Sequence, residues 1–115
     1  WYPTLPVPDW PFFVLHAMHG KIGYLDGTWS VYRQHPAGMY CRLSDEQRME
    51  QNIGIVRTFR EVLDPEWSAV LTDAIHARCL TLALYYRRQG NKSQAAQRLG
   101  LSRQGLLNKL ARYGL

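Results

Sequence analysis

The chain has 115 residues, and 46% of them are hydrophobic, so the composition supports a packed core and excludes a wholly disordered protein. Residues 1–73 carry six Lys and Arg against nine Asp and Glu, a net charge of −3. Residues 74–115 carry eight Lys and Arg and no Asp or Glu, a net charge of +8. This distribution predicts that the C-terminal part attracts polyanions, although a solvated basic helix surface is the alternative interpretation.

No apolar run approaches the ~20 residues that a membrane-spanning helix needs, and no signal peptide is recognisable. We therefore expect a cytoplasmic protein without a membrane partner. Cys41 and Cys79 lie far apart, so we expect free thiols and not a disulfide. Because the chain does not begin with Met, we expect it to be a fragment, or a processed or engineered chain.

The N-terminal third combines helix and strand signals. Residues 1–8 hold three prolines and predict an extended lead-in. A short helix over about 10–19 follows, with Asp9 as its N-cap and Gly20 at its end. Residues 21–25 and 28–34 alternate as strands do, and Asp26-Gly27 between them favours a tight turn. The sequence therefore predicts a β-hairpin over residues 21–34 and a loop over 35–40.

The rest of the chain has helical spacing. Ser44 and Gln47 form a capping box at the start of a helix over about 45–62, whose apolar positions are Met49, Ile53, Val56 and Phe59 or Arg60. Asp64 and Pro65 begin a second helix, which we expect to run from about 65 to 88. Its predicted apolar side consists of Trp67, Val70, Leu71, Ala74, Ile75, Leu82 and Tyr85 or Tyr86.

Two short helices follow, over 92–99 and 103–112. Asn91 and Ser102 are their predicted N-caps, and Gly100 lies where the connection needs a positive φ. Ala95 and Ala96 are small enough to let the two helices approach closely, Leu101 fills the corner, and Leu106 and Leu110 are expected to face the core. A helix presented in this way can enter the major groove of DNA.

From about Ile75 to Leu115 the chain resembles the Fis protein and the DNA-binding ends of bacterial enhancer-binding activators. Four motifs at uninterrupted spacing carry the resemblance: Gly90-Asn91, Ala95-Ala96, the run from Leu99 to Arg103, and the run from Lys109 to Gly114. The resemblance implies double-stranded DNA as the partner, transcription regulation, and a homodimer formed through residues 66–88. The base-reading and phosphate-contacting positions of the family correspond to Lys92, Ser93, Arg103, Gln104, Asn108, Lys109 and Arg112.

The residue types at these positions are suited to DNA. Arg103 can bind guanine bidentately, and Gln104 or Asn108 can pair with adenine. The cations Lys92, Lys109 and Arg112 suit phosphates. Two positions depart from Fis: Gly105 stands where Fis has a hydroxyl residue and costs ~1 kcal/mol against Ala within a helix, and Leu107 stands where Fis has a charge. The alternative is a basic helical end that serves only packing.

Residues 9–40 resemble the C-terminal part of the catalytic domain of GT-A-type, family 2 glycosyltransferases. Three segments carry this resemblance: Asp9–Pro11, His19–Asp26 and Val31–Gly38. It implies a catalytic base near Asp9, and a basic Arg33 and His35 near the donor diphosphate or its metal. The nucleotide-binding half and its Asp-x-Asp motif, which precede this region in the family, are absent. We therefore expect a relic, a fragment or a scaffold and not a working enzyme, with no cofactor and no metal site.

The sequence thus predicts an α+β, mostly helical fold in two domains. Residues 1–63 form a glycosyltransferase-like fragment of helix, β-hairpin and helix, and residues 64–115 form a Fis-type helical DNA-binding domain. The predicted function is sequence-specific or architectural DNA binding. The alternatives are a glycosyltransferase fragment that needs its missing half, with residues 65–99 as a helical tail of such an enzyme, and a dimerisation module built on residues 66–88.

Overall fold

The computed structural model describes residues 1–6, 9–31, 33, 35 and 37–112, with the side chains of Tyr2 and Lys109 left out. Five α-helices and two short 3₁₀ turns lie in this part of the chain. The helices are α1 (Asp9–Ala17), α2 (Asp45–Val62), α3 (Ser68–Arg88), α4 (Lys92–Arg98) and α5 (Arg103–Arg112). The 3₁₀ turns are Tyr2–Thr4 and Pro65–Trp67.

The chain divides into two compact units, Trp1–Ser44 and Asp45–Leu115. The division does not coincide with the domain boundary predicted at residues 63 and 64. Helix α2, which the sequence analysis assigned to the N-terminal domain, lies in the second unit and packs on α3. The second unit is therefore built from four helices and not from three.

The predicted β-hairpin over residues 21–34 is wrong, and with it the α+β fold class. Residues 21–31 and Arg33 contain no strand, while Tyr32 and Gln34 lie outside the described residues. Gly27 does adopt a positive φ of 125°, but the turn is closed by the Trp29 indole N–H, which donates to the Asp26 carbonyl oxygen at 3.1 Å. A lone two-stranded hairpin is marginal without a third strand or a covering helix. Here Tyr24 and Val31 are 87% and 94% exposed, so no other part of the chain covers this segment as a hairpin would require.

The first unit contains α1, which begins at Asp9 and ends at Ala17, whereas the sequence predicted a helix over about 10–19 with Asp9 as its N-cap. One carboxylate oxygen of Asp9 accepts a hydrogen bond from the Trp10 backbone N–H at 3.0 Å. Pro11, in the first turn, is buried, whereas Trp10, Phe12 and Phe13 remain largely exposed. In the part of the chain that the structure describes, no helix has the length and apolar character to cross a membrane.

The helices of the second unit begin and end close to their predicted residues. Helix α2 covers 45–62 and α5 covers 103–112, as expected. The predicted helix over 65–88 begins as the 3₁₀ turn, where the Asp64 carboxylate accepts from the Glu66 N–H at 3.0 Å, and continues as α3. Local capping chemistry therefore sets these boundaries.

A single hydrophobic cluster joins all four helices of the second unit. Its buried members are Ile53 from α2, Leu82, Ala83 and Tyr86 from α3, Ala95 and Ala96 from α4, and Leu106 from α5. Partly buried side chains surround it, among them Met49, Cys79 and Leu110. Both Cys79 and the exposed Cys41 are free thiols, as expected. Because α2 contributes to this cluster, the basic C-terminal helices depend for their core on a helix that carries the carboxylates of Glu46 and Glu50.

Candidate nucleic-acid interface

Helices α4 and α5 are joined by a tight turn whose geometry is set by Gly100. The Gly100 N–H donates to the Gln97 carbonyl at 3.0 Å, and the Leu101 N–H donates to the Ala96 carbonyl at 2.9 Å. These two bonds form a Schellman motif, which requires a left-handed residue, and Gly100 has φ of 65°. The predicted positive φ at this residue is confirmed.

A second Schellman motif ends α3 in the same way. Gly90 has φ of 75°, its N–H donates to the Arg87 carbonyl at 3.0 Å, and the Asn91 N–H donates to the Tyr86 carbonyl at 2.8 Å. Asn91 then caps α4, because its side-chain oxygen accepts from the Gln94 N–H at 3.1 Å. Two consecutive glycine-terminated helices thus fix the direction in which the chain enters α5.

The start of α5 is held by Ser102. Its hydroxyl oxygen accepts a hydrogen bond from the Gly105 N–H at 2.9 Å, which confirms the predicted N-cap. A Cβ atom at position 105 would lie 3.1 Å from this oxygen, a contact that would require the hydroxyl to move by a few tenths of an ångström. Gly105 therefore leaves room for the cap, and this offsets part of its low helix propensity.

Helix α5 has one face in the core and one in solvent. Leu106 is 5% exposed, and Leu110 packs against the core cluster, as predicted. Arg103, Gln104 and Asn108 lie exposed on the other side. The Gln104 side-chain amide donates to the side-chain oxygen of Asn108 at 2.9 Å, which links two of the predicted base-reading residues. Both residues were predicted from the sequence, but the bond between them was not.

The N-terminal ends of α4 and α5 border a common surface depression of about 360 Å³. Lys92, Ser93 and Arg103 line it, together with Gln89, Gly90 and Asn91. It brings three of the predicted site residues together from two helices, and no carboxylate lines it. Arg112 is exposed at the far end of α5, and Lys109 lies in the same helix, although its side chain is outside the described set. The depression has the positive charge and the hydrogen-bond donors that a phosphate group requires.

Two carboxylates of α2 contact side chains of α3 and α4 directly. The Tyr86 hydroxyl donates to a Glu46 carboxylate oxygen at 2.7 Å, and Arg98 forms an ion pair with Glu50. Burial, followed by the hydrogen bond to Glu46, raises the pKa of Tyr86 to about 12, so the phenol stays protonated and donates. Because Glu50 pairs with Arg98, this arginine supports α4 and is not placed among the DNA-contacting cations. These contacts could not be predicted from the sequence, although the spacing of Glu46 and Glu50 by one helical turn places both on one face of α2.

The residues of the glycosyltransferase interpretation do not form a site. Asp9 is the first residue of α1, while Arg33 and His35 are exposed in the first unit. Among the described residues, no hydrogen bond or ion pair joins Asp9 to either of them, and no group of three His, Cys, Asp or Glu side chains is placed to hold a metal ion.

Comparisons with known proteins bear on the second unit alone. A search of curated proteins and a search of solved structures found no match. The glycosyltransferase resemblance over residues 9–40 therefore has no support from these comparisons. Over residues 83–113, from the C-terminal half of α3 to the end of α5, the chain matches the family described as "Bacterial regulatory protein, Fis family", and this segment is similar to the DNA-binding helix-turn-helix of that family.

Proposed function

We propose that the second unit binds double-stranded DNA by placing α5 in the major groove, and that the protein regulates transcription. The observation that carries this proposal is the solvent face of α5, which presents Arg103, Gln104 and Asn108 beside the basic depression. A helix of this kind reads bases with its N-terminal side chains, while neighbouring cations position it on the phosphates. The match of residues 83–113 to the Fis family supports the same conclusion.

Each residue type has a separate role in this proposal. Arg103 donates to guanine, Gln104 and Asn108 contact adenine, and Lys92 and Ser93 contact a backbone phosphate at the depression. Lys109 and Arg112 extend the phosphate contacts along α5. The absence of Asp and Glu after residue 73 in the sequence supports these roles, because no carboxylate of α4 or α5 repels the phosphates.

Fluorescence anisotropy with a labelled duplex of random sequence tests this proposal. We expect the affinity to fall steeply between 50 and 200 mM salt, since each phosphate contact adds roughly 0.9 to the slope of log affinity against log salt. Arg103→Ala should weaken binding at least about tenfold. Arg57→Ala removes the same charge from an exposed position of α2 and should change affinity no more than about twofold. Equal losses in both variants, or no binding at low salt, would contradict DNA recognition by α5.

We further propose that two copies of the chain pair through α3. Exposed apolar side chains run along this helix at Val70, Ala77 and Leu84, seven residues apart, and Leu80 follows Ala77 after three. The seven-residue spacing matches one of the two apolar positions of paired helices, while Leu80 occupies the other beside the charged Asp73 and Arg87. A second copy of α3 is the occupant we propose. A dimer would present two α5 helices to half-sites roughly one turn of DNA apart.

Sedimentation equilibrium of the full chain tests the pairing. We expect the wild type to have twice the mass of one chain, and Leu80→Glu to be monomeric, because a carboxylate in an apolar helix interface would have to be desolvated. Gln97→Glu, at an exposed position of α4 outside this stripe, is the control for an added carboxylate and should remain dimeric. The far-UV circular dichroism of all three proteins should agree. A monomeric wild type at micromolar concentration would be evidence against the pairing.

A further inference from the structure

Two opposite charges lie on the exposed face of α3, at equal distances from Leu80. Asp73 precedes Leu80 by seven residues and Arg87 follows it by seven, so the three side chains share one face of the helix. Asp73 is exposed, Leu80 is 50% exposed and Arg87 is partly exposed. Neither charge belongs to an ion pair formed between described side chains. Both are therefore available to a second helix that packs on this face.

A second copy of α3 can lie on this face in two orientations. A parallel pair places Asp73 against the partner's Asp73 and Arg87 against the partner's Arg87, which brings like charges together at both places. An antiparallel pair with Leu80 on the two-fold axis places each Asp73 against the Arg87 of the other chain, and two-fold symmetry repeats this contact. Charges beside an apolar contact set the orientation of paired helices, and like charges in contact are unfavourable. The positions of Asp73 and Arg87 therefore favour the antiparallel pair.

The apolar side chains on either side of Leu80 fit the same orientation. Ala77 precedes Leu80 by three residues, and Leu84 follows it by four. Reversal of the partner helix brings the small Ala77 opposite the larger Leu84, which is 43% exposed. A parallel pair would set alanine against alanine and leucine against leucine at these positions. Facing layers pack best when a small residue meets a large one, so the side-chain volumes agree with the charges.

We propose that two copies of the chain pair through antiparallel α3 helices, with Leu80 at the two-fold axis and an ion pair of Asp73 with Arg87 on each side of it. This inference rests on the pairing through α3 proposed above. With a rise of ~1.5 Å per residue, the Arg88 ends of the two α3 helices lie roughly 24 Å apart. Helices α4 and α5 follow from each end, so the two copies of α5 lie on opposite sides of the axis. This arrangement suits half-sites one turn of DNA apart, roughly 34 Å.

Sedimentation equilibrium of the full chain tests the orientation with three variants: Asp73→Arg, Arg87→Asp and the double variant that carries both. In the antiparallel pair each single variant brings like charges together on both sides of the axis, so we expect the dissociation constant of the dimer to rise at least about tenfold. The double variant again opposes unlike charges and should return to within about threefold of the wild type. In a parallel pair, the wild type and all three variants keep like charges together, so no such recovery follows.

Two controls separate the orientation from other effects of these substitutions. Arg57→Asp makes the same charge reversal at an exposed position of α2 and should dimerise as the wild type does. Arg87 lies in the last turn of α3, where a cation suits the helix dipole, and both Arg87→Asp and the double variant lose it. If a weakened α3 caused the dissociation, the double variant would be no more dimeric than Arg87→Asp. Far-UV circular dichroism at the same concentrations measures the folded fraction of each protein.

Two results would overturn the antiparallel arrangement and leave the pairing through α3 in place. One is a dimeric wild type whose single variants keep its dissociation constant. The other is a double variant that stays as dissociated as the single ones. A monomeric wild type is a different outcome, since it would overturn the pairing itself and the orientation with it. Recovery of the dimer in the double variant alone would support the antiparallel pair.

Discussion

A polypeptide that spans residues 45–115 is expected to fold and bind DNA, whereas one that spans residues 64–115 is expected to remain largely unfolded. The shorter polypeptide lacks α2, and with it Ile53, Met49 and the partners of Tyr86 and Arg98. Loss of one large core side chain alone costs about 2–5 kcal/mol. That is comparable with the entire stability of a small domain, about 5–15 kcal/mol. Far-UV circular dichroism and thermal melting of the two polypeptides and the full chain provide the measurement.

The matched control for this truncation is a third polypeptide, residues 45–115 with Glu46→Gln and Glu50→Gln. It removes the two charges of α2 that contact the helix-turn-helix but keeps Ile53 in the core. We expect it to melt cooperatively at a lower temperature than the unaltered 45–115. If residues 64–115 alone melted as cooperatively as 45–115, α2 would be dispensable, and the four-helix core described above would be refuted.

Leu82→Ala is expected to destabilise the protein by about 3–5 kcal/mol, the range for a leucine removed from a rigid core. Leu82 is completely buried at the centre of the cluster that joins α2, α3, α4 and α5. The resulting cavity would lower the melting temperature by at least about 10 °C for a unit of this size. It should also weaken DNA binding in proportion to the unfolded fraction, although Leu82 contacts no base or phosphate in the proposed complex.

Leu80→Ala provides the comparison, because it removes the same atoms two residues away from a side chain that is 50% exposed. At concentrations low enough to keep the chain monomeric, we expect a loss below about 1 kcal/mol. Urea unfolding measures both variants, and an unchanged slope with denaturant would show that the comparison is made between similar unfolded states. Similar losses for both substitutions would mean that Leu82 is not the central core residue.

The helices could be predicted because their boundaries depend on neighbouring residues. Asp64, Asn91 and Ser102 cap within two or three residues of their own positions, and Gly90 and Gly100 need only a positive φ. The β-hairpin failed for the opposite reason. Alternation over residues 21–34 describes a strand only if one face is covered, and cover depends on parts of the chain that a local pattern does not contain. Val31, at 94% exposure, lacks that cover.

The residues of the candidate site could be predicted from the sequence, but the contacts that position its helices could not. Residue type and spacing were enough to nominate Arg103, Gln104 and Asn108. The ion pair of Glu50 with Arg98 joins residues 48 positions apart, and the Tyr86 to Glu46 bond joins residues 40 positions apart. No periodic pattern encodes such contacts, because they follow from the packing of α2 on α3. For the same reason the sequence placed the domain boundary after α2, whereas the compact unit begins before it.

The core-facing and solvent-facing positions of α5 are separate, and this affects how the protein could change the DNA sequence that it is proposed to bind. The residues that hold the helix in place, Leu106 and Leu110, face the core, and the residues proposed to read DNA face solvent. Substitutions at the exposed positions of a helix usually alter stability by no more than about 0.5 kcal/mol. Positions 104 and 108 can therefore be exchanged almost freely without endangering the fold. The DNA specificity proposed for α5 could therefore be redesigned, or could change between relatives, while the four-helix core stays the same.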